Sequence, residues 1–119
     1  MELRMKPLVN IMKSLSDPTR LKIVKMLQHK TLCVCEIQAA LGQSQPNVSK
    51  HLKILQAAGL VESRKDGLWV NYALASTGKD DRYAATLLRS MEGWLEDDPE
   101  VKAILEKVRF VDRATLCRD

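Results

Sequence analysis

Residues 33–74 read CVCEIQAALGQSQPNVSKHLKILQAAGLVESRKDGLWVNYAL, and the punctuation of this stretch decides the fold. A short helix opening at Thr31 or Cys33 runs to Leu41 and stops at Gly42, a residue suited to the left-handed position after a helix. The helical period restarts over residues 45–58, where Val48, Leu52 and Leu55 fall on one face and Gln45, Asn47, Ser49, Lys50 and Lys53 on the other. That second helix carries no acid. Gly59 ends it, and residues 61–65 and 68–74 form two extended runs around Asp66-Gly67, a dipeptide that marks a tight hairpin.

Two short helices joined by a turn and followed directly by a hairpin give the order of a winged helix-turn-helix. In that design the second helix enters the major groove with its N-terminal residues on base edges, which calls for small, polar and basic side chains. Ser44, Gln45, Asn47, Ser49, Lys50 and Lys53 meet the demand: amides read adenine bidentately, and lysine reaches guanine or phosphate. Arg64 and Lys65 on the hairpin are placed for phosphate or the minor groove, since most protein–DNA hydrogen bonds go to the backbone.

The flanks read as helices. Leu8, Ile11, Met12 and Leu15 make residues 4–15 an apolar-faced first helix. Asp17 and Pro18 then form a helix start, followed to about His29 by Leu21, Val24 and Leu27 on one side and Arg20, Lys22, Lys25 and Lys30 as a basic surface. Beyond the hairpin, Leu87, Leu88, Met91, Trp94 and Leu95, then Val101, Ile104, Leu105 and Val108, give helical patterns broken at Asp97-Asp98-Pro99. Residues 112–119 read as a loose tail.

The 119 residues, 45% apolar and 29% charged, suit one globular domain. No apolar run approaches the ~20 residues that span a bilayer, and the start of the chain lacks a signal peptide's apolar stretch, so a cytoplasmic protein without membrane partners is expected. The net charge of +4 is unevenly placed: residues 1–77 hold eleven bases and five acids, the remainder eight bases and ten acids. A basic front suits a polyanion such as double-stranded operator DNA. With no C-x-x-C pair, no phosphate loop and no base beside a nucleophile, the pattern is not that of an enzyme.

The segments SDPTRLKIVKML at 16–27 and LCVCEIQAALGQSQPNVSKHLKILQAAGLVESRKDGLWVNYAL at 32–74 resemble the ArsR/SmtB family of metal-responsive repressors. The resemblance implies a mainly α, five-helix winged fold with a small β-hairpin, and a homodimer built from the helices of residues 4–15 and 79–111. It also implies helix-turn-helix residues 33–58, a wing at 61–74, derepression by a bound metalloid, and a docking or orienting role for His51.

Cys33-Val34-Cys35-Glu36 matches the box of the arsenic-sensing members. Three cysteines, an odd number, argue against a disulfide framework in a reducing compartment. A helix N-terminus favours thiolate, the ligating form, and Cys33 and Cys35 at i and i+2 cannot share one ion on a regular helix. Closing both sulfurs on arsenite, As(III), or on antimonite, Sb(III), would therefore distort the helix preceding the recognition helix. The family's third nearby cysteine is here Gln38, so Cys117 is the candidate third ligand. A thiol sensor of cadmium, lead or mercury and a redox-responsive repressor using the same cysteines are the alternatives.

Overall fold

The computed structural model describes residues 5–75 and 82–111. Helix α1, Lys6–Leu15, turns Ile11 and Ser14 inward and leaves Val9 and Met12 exposed. Helix α2, Pro18–His29, starts where the Asp17 carboxylate accepts the Arg20 backbone N–H at 3.0 Å, with Pro18 fixed in the first turn.

The expected basic flank of α2 is only partly realised. Residues 23–27 are buried all round, so α2 is the central helix, and Lys25 is wholly enclosed. Its ammonium donates to the Met91 carbonyl at 2.9 Å and pairs with Glu96 at 2.9 Å, partners that make burial of a charge tolerable.

A two-residue strand the sequence did not announce, β1 at Leu32–Cys33, precedes helix α3, Val34–Leu41. Gly42 closes α3 at φ 69°, donating its N–H to the Gln38 carbonyl. Helix α4, Gln45–Ala57, follows after three residues, with Ser44 as its N-cap. Strands β2, Val61–Asp66, and β3, Trp69–Leu74, form the wing; Asp66 pairs with Trp69, so the loop is Gly67-Leu68 rather than Asp66-Gly67. Gly67 alone takes a positive φ there, which suits a turn needing glycine at its first loop position. The antiparallel sheet runs β1-β3-β2, with Leu32 opposite Tyr72 and Cys33 opposite Asn71.

Helix α5, Arg82–Ser90, stops earlier than its apolar pattern suggests. Residues 91–97 form turns in which Gly93 and Leu95 take φ of 86° and 63°, and Trp94 and Leu95 are exposed. Helix α6, Pro99–Val108, then begins at an Asp98 cap that accepts from the N–H groups of Glu100 and Val101. The described residues thus hold six helices where the resemblance implied five. Of the segment expected to dimerise, α5 lies beside α1, whereas α6 packs on α2 and α3 of its own chain and buries Val101 and Val108. One core, from Ile11 through Ile23, Leu32, Ile37 and Leu52 to Val108, joins the helix-turn-helix to both flanks.

Candidate nucleic-acid interface and cysteine centre

The recognition surface follows from which face of α4 the core claims. Val48, Leu52 and Leu55 are buried, so Ser44, Gln45, Lys50 and Lys53 stand exposed, with Asn47 and Ser49 half-buried beside them. Local hydrogen bonds preset this surface: Gln45 donates to the Ser49 hydroxyl at 3.2 Å, and Asn47 donates to the Gln43 side-chain carbonyl. The Gln43 amide reaches the Thr19 hydroxyl at 3.4 Å, tying the turn to α2. Gln56 donates to the Ser63 hydroxyl at 3.1 Å, fixing the wing to the end of α4. On the wing Arg64 and Lys65 are exposed near the end of β2, Arg64 lying 3.7 Å from Glu62, and Leu68 stands almost fully bare at the loop.

His51, to which the resemblance gives a docking or orienting role, does not stand on the exposed face with Gln45 and Lys50. It is buried on the inward side of α4, its Nδ1 3.0 Å from Nη1 of Arg20 and 4.0 Å from Asp17. Burial holds its pKa below the ordinary histidine value, against the pull of Asp17 and with the push of Arg20 and Lys50.

Cys33 is where three elements meet. It ends β1, pairs with Asn71 of the wing strand and N-caps α3, where it and Glu36 form a capping box. The Glu36 carboxylate accepts the Cys33 backbone N–H at 2.9 Å. The expected thiolate is not found here. Cys33 is only 2% exposed, and burial together with the adjacent Glu36 carboxylate pushes its pKa up, outweighing the backbone N–H groups at the helix start.

Cys35 is half-buried and disulfide-bonded, contrary to the expectation of thiols throughout. The two sulfurs sit in different surroundings because Cys33 belongs to β1 and caps α3 whereas Cys35 lies within it, so the pair does not have the i and i+2 geometry of a regular helix, and Cys117 lies outside the described residues. Among the described residues no three His, Cys, Asp or Glu side chains gather as a preformed metal cage.

Sequence reasoning missed Arg20, Gln43 and the buried state of Lys25. Each acts through a partner 24 or more residues away, beyond the range of helical periodicity. The β-branched and apolar run through Leu32-Cys33-Val34 was the available signal for β1.

Comparison with known proteins places this geometry. The profile of the bacterial regulatory protein, arsR family, matches residues 17–63, the span from the cap of α2 into β2. The chain is 39% identical over 101 residues to the arsenical resistance operon repressor of Escherichia coli (strain K12), covering 84% of this chain and 83% of that protein. Among solved structures, HlyU from Vibrio cholerae N16961 superposes with a TM-score of 0.64 at 32% identity, over 79% of this chain and 98% of that one. The homodimeric winged helix-turn-helix DNA-binding domain Mb0332 from Mycobacterium bovis gives a TM-score of 0.65 at 27% identity, over 76% and 80% of the two chains. The chain therefore belongs to the arsR family: it is a winged helix-turn-helix transcriptional repressor, not an enzyme.

Proposed function

We propose that this repressor binds operator DNA as a homodimer and lets go when trivalent arsenic, or antimony, is bound by cysteine sulfur. The observation that carries the reading is the position of Cys33, at once the cap of α3 and a rung of the ladder to wing strand β3. Any ligand that pulls this sulfur out of the core disturbs both DNA-facing elements together, because α3 leads into α4 through three residues and β3 carries the wing. The arsenical repressor relative supports a metalloid as inducer.

Cys33 and Cys35 would hold the ligand, with Cys117 as third sulfur, in the reduced protein. Trivalent arsenic bonds thiols by condensation, each As–S bond carrying off a hydroxide with the thiol proton as water, so a thiol kept un-ionised by burial remains competent. A homodimer is supported by the exposed apolar trough of Leu8, Met12, Tyr83 and Leu87 between α1 and α5, and by the homodimeric relative.

The test is fluorescence anisotropy of reduced, reductant-free protein on labelled duplex, with arsenite titrated into wild type, Cys33→Ser and Cys117→Ser. Release of wild type but not of Cys33→Ser is the expected result, and the Cys117→Ser curve decides the third ligand. Arsenite leaving wild type bound refutes the inducer. The Cys35 disulfide favours a second reading, a repressor switched by oxidation. Peroxide releasing the duplex with no metalloid present would establish it.

A further inference from the structure

Arg20 is a half-buried residue of α2 that touches two other helices. Its Nε donates to the carbonyl of Ser14 at 2.7 Å, one of the last carbonyls of α1, which have no partner within their own helix. Its Nη1 lies 3.0 Å from Nδ1 of His51, in the middle of α4. A guanidinium has only donors, so Nδ1 must accept, and the imidazole is the neutral form with its proton on Nε2. One side chain thus joins the apolar-faced helix α1 to the recognition helix, and it does so only while His51 is neutral.

We propose that Arg20 is the positioning residue of the recognition helix, setting the angle of α4 through the neutral His51 ring, so that operator binding weakens when His51 takes up a proton. The inference rests on the operator-binding reading above and adds how the helix is held and what releases it.

The charges acting on His51 are known element by element. Asp17, at the cap of α2, lies 4.0 Å from Nδ1, Arg20 lies at 3.0 Å, and Lys50 is its neighbour on α4. From α1, Lys13 lines the same surface groove as Arg20, Ile54 and Ala57. Protonation removes the acceptor and sets an imidazolium against a guanidinium; Asp17, already engaged by the Arg20 backbone N–H, is too far to take Arg20's place. Burial disfavours the charged ring, so the contact is intact at neutral pH. It is complete above the ordinary histidine pKa and lost as pH falls through the lower value of the folded protein.

The probe is a duplex enriched from a random library by the full-length wild-type protein. Affinity for it is read at about pH 8 and about pH 5.5, on either side of the histidine range, together with affinity for a scrambled duplex. If no duplex is enriched, the operator-binding reading fails. With one in hand, the acidic affinity of wild type for it should fall relative to the scrambled duplex, by less than about tenfold because an imidazole held below the ordinary histidine pKa is only partly protonated at about pH 5.5.

His51→Leu should bind the enriched duplex poorly at both pH values. His51→Asn, whose amide oxygen stands where Nδ1 accepts but takes up no proton, should show an acid-to-neutral affinity ratio near one. Arg20→Gln should lose roughly ten- to a hundredfold on the enriched duplex and little on the scrambled one. His29→Gln should keep the wild-type pH loss. Thermal melts at both pH values separate unfolded variants from folded ones that bind poorly, and if Arg20→Gln unfolds, the His51→Asn ratio still decides. Equal pH loss in wild type and His51→Asn, or a folded Arg20→Gln with wild-type affinity, overturns the proposal.

Discussion

Replacing Lys65 by alanine should lower the salt dependence of DNA binding by a definite increment. Lys50, Lys53, Arg64 and Lys65 are the exposed cations of α4 and the wing. Two protomers on one operator would bring about eight such charges to phosphate, and counterion release then gives a slope of log affinity on log salt near −7. Binding would weaken by roughly ten-thousandfold between about 50 and 200 mM salt. Lys65→Ala removes two of the eight, so the slope should fall by about 1.8, and enriched and scrambled duplexes should be affected alike because a phosphate contact carries no base information. Arg64 should count for less, since Glu62 already lies 3.7 Å from its guanidinium. Anisotropy titrations at four or five salt concentrations measure the slope directly. An unchanged slope in Lys65→Ala, or an equal change in Lys102→Ala on α6, would refute the assignment of the wing to DNA.

Further outcomes follow from the fold. Gly42→Ala should destabilise the protein by about 1 kcal/mol in urea unfolding, a backbone cost only, because nothing lies within 4 Å of the added methyl while φ stays at 69°. Lys25→Ala should cost roughly 2–4 kcal/mol through the emptied site and the lost ammonium bond to the Met91 carbonyl, which keeps only the Trp94 N–H, and Lys25→Met about 1 kcal/mol or less, because methionine refills most of the volume. A thermal melt of Lys25→Ala within a degree or two of wild type would show that the buried ammonium does not hold the 91–97 turns.

The helix-turn-helix and its wing were legible in the sequence because every signal that defines them is local. The inward spacing of Val48, Leu52 and Leu55, the stop at Gly42 and the glycine of the hairpin each act over a few residues. The polar face of α4 was readable for the same reason: once the buried stripe is known, Gln45, Lys50 and Lys53 must point outward. The Cys33–Cys35 pair was visible as a motif.

What only the tertiary structure decided is how those local pieces are held and what their buried groups meet. Lys25 looks like surface by composition, and it is buried because a carbonyl 66 residues away receives its ammonium. The thiolate expected of Cys33 fails because β1 carries the sulfur into the core beside Glu36, where loss of solvation outweighs the helix start. The apolar stripe of α6 is equally compatible with a partner subunit, and the chain spends it on its own α2 and α3. His51 and Arg20 are 31 residues apart. Periodicity and caps say which side of a helix turns inward, but the charge state and role of a group turned inward are set by what faces it, and here that comes from distant segments of the chain.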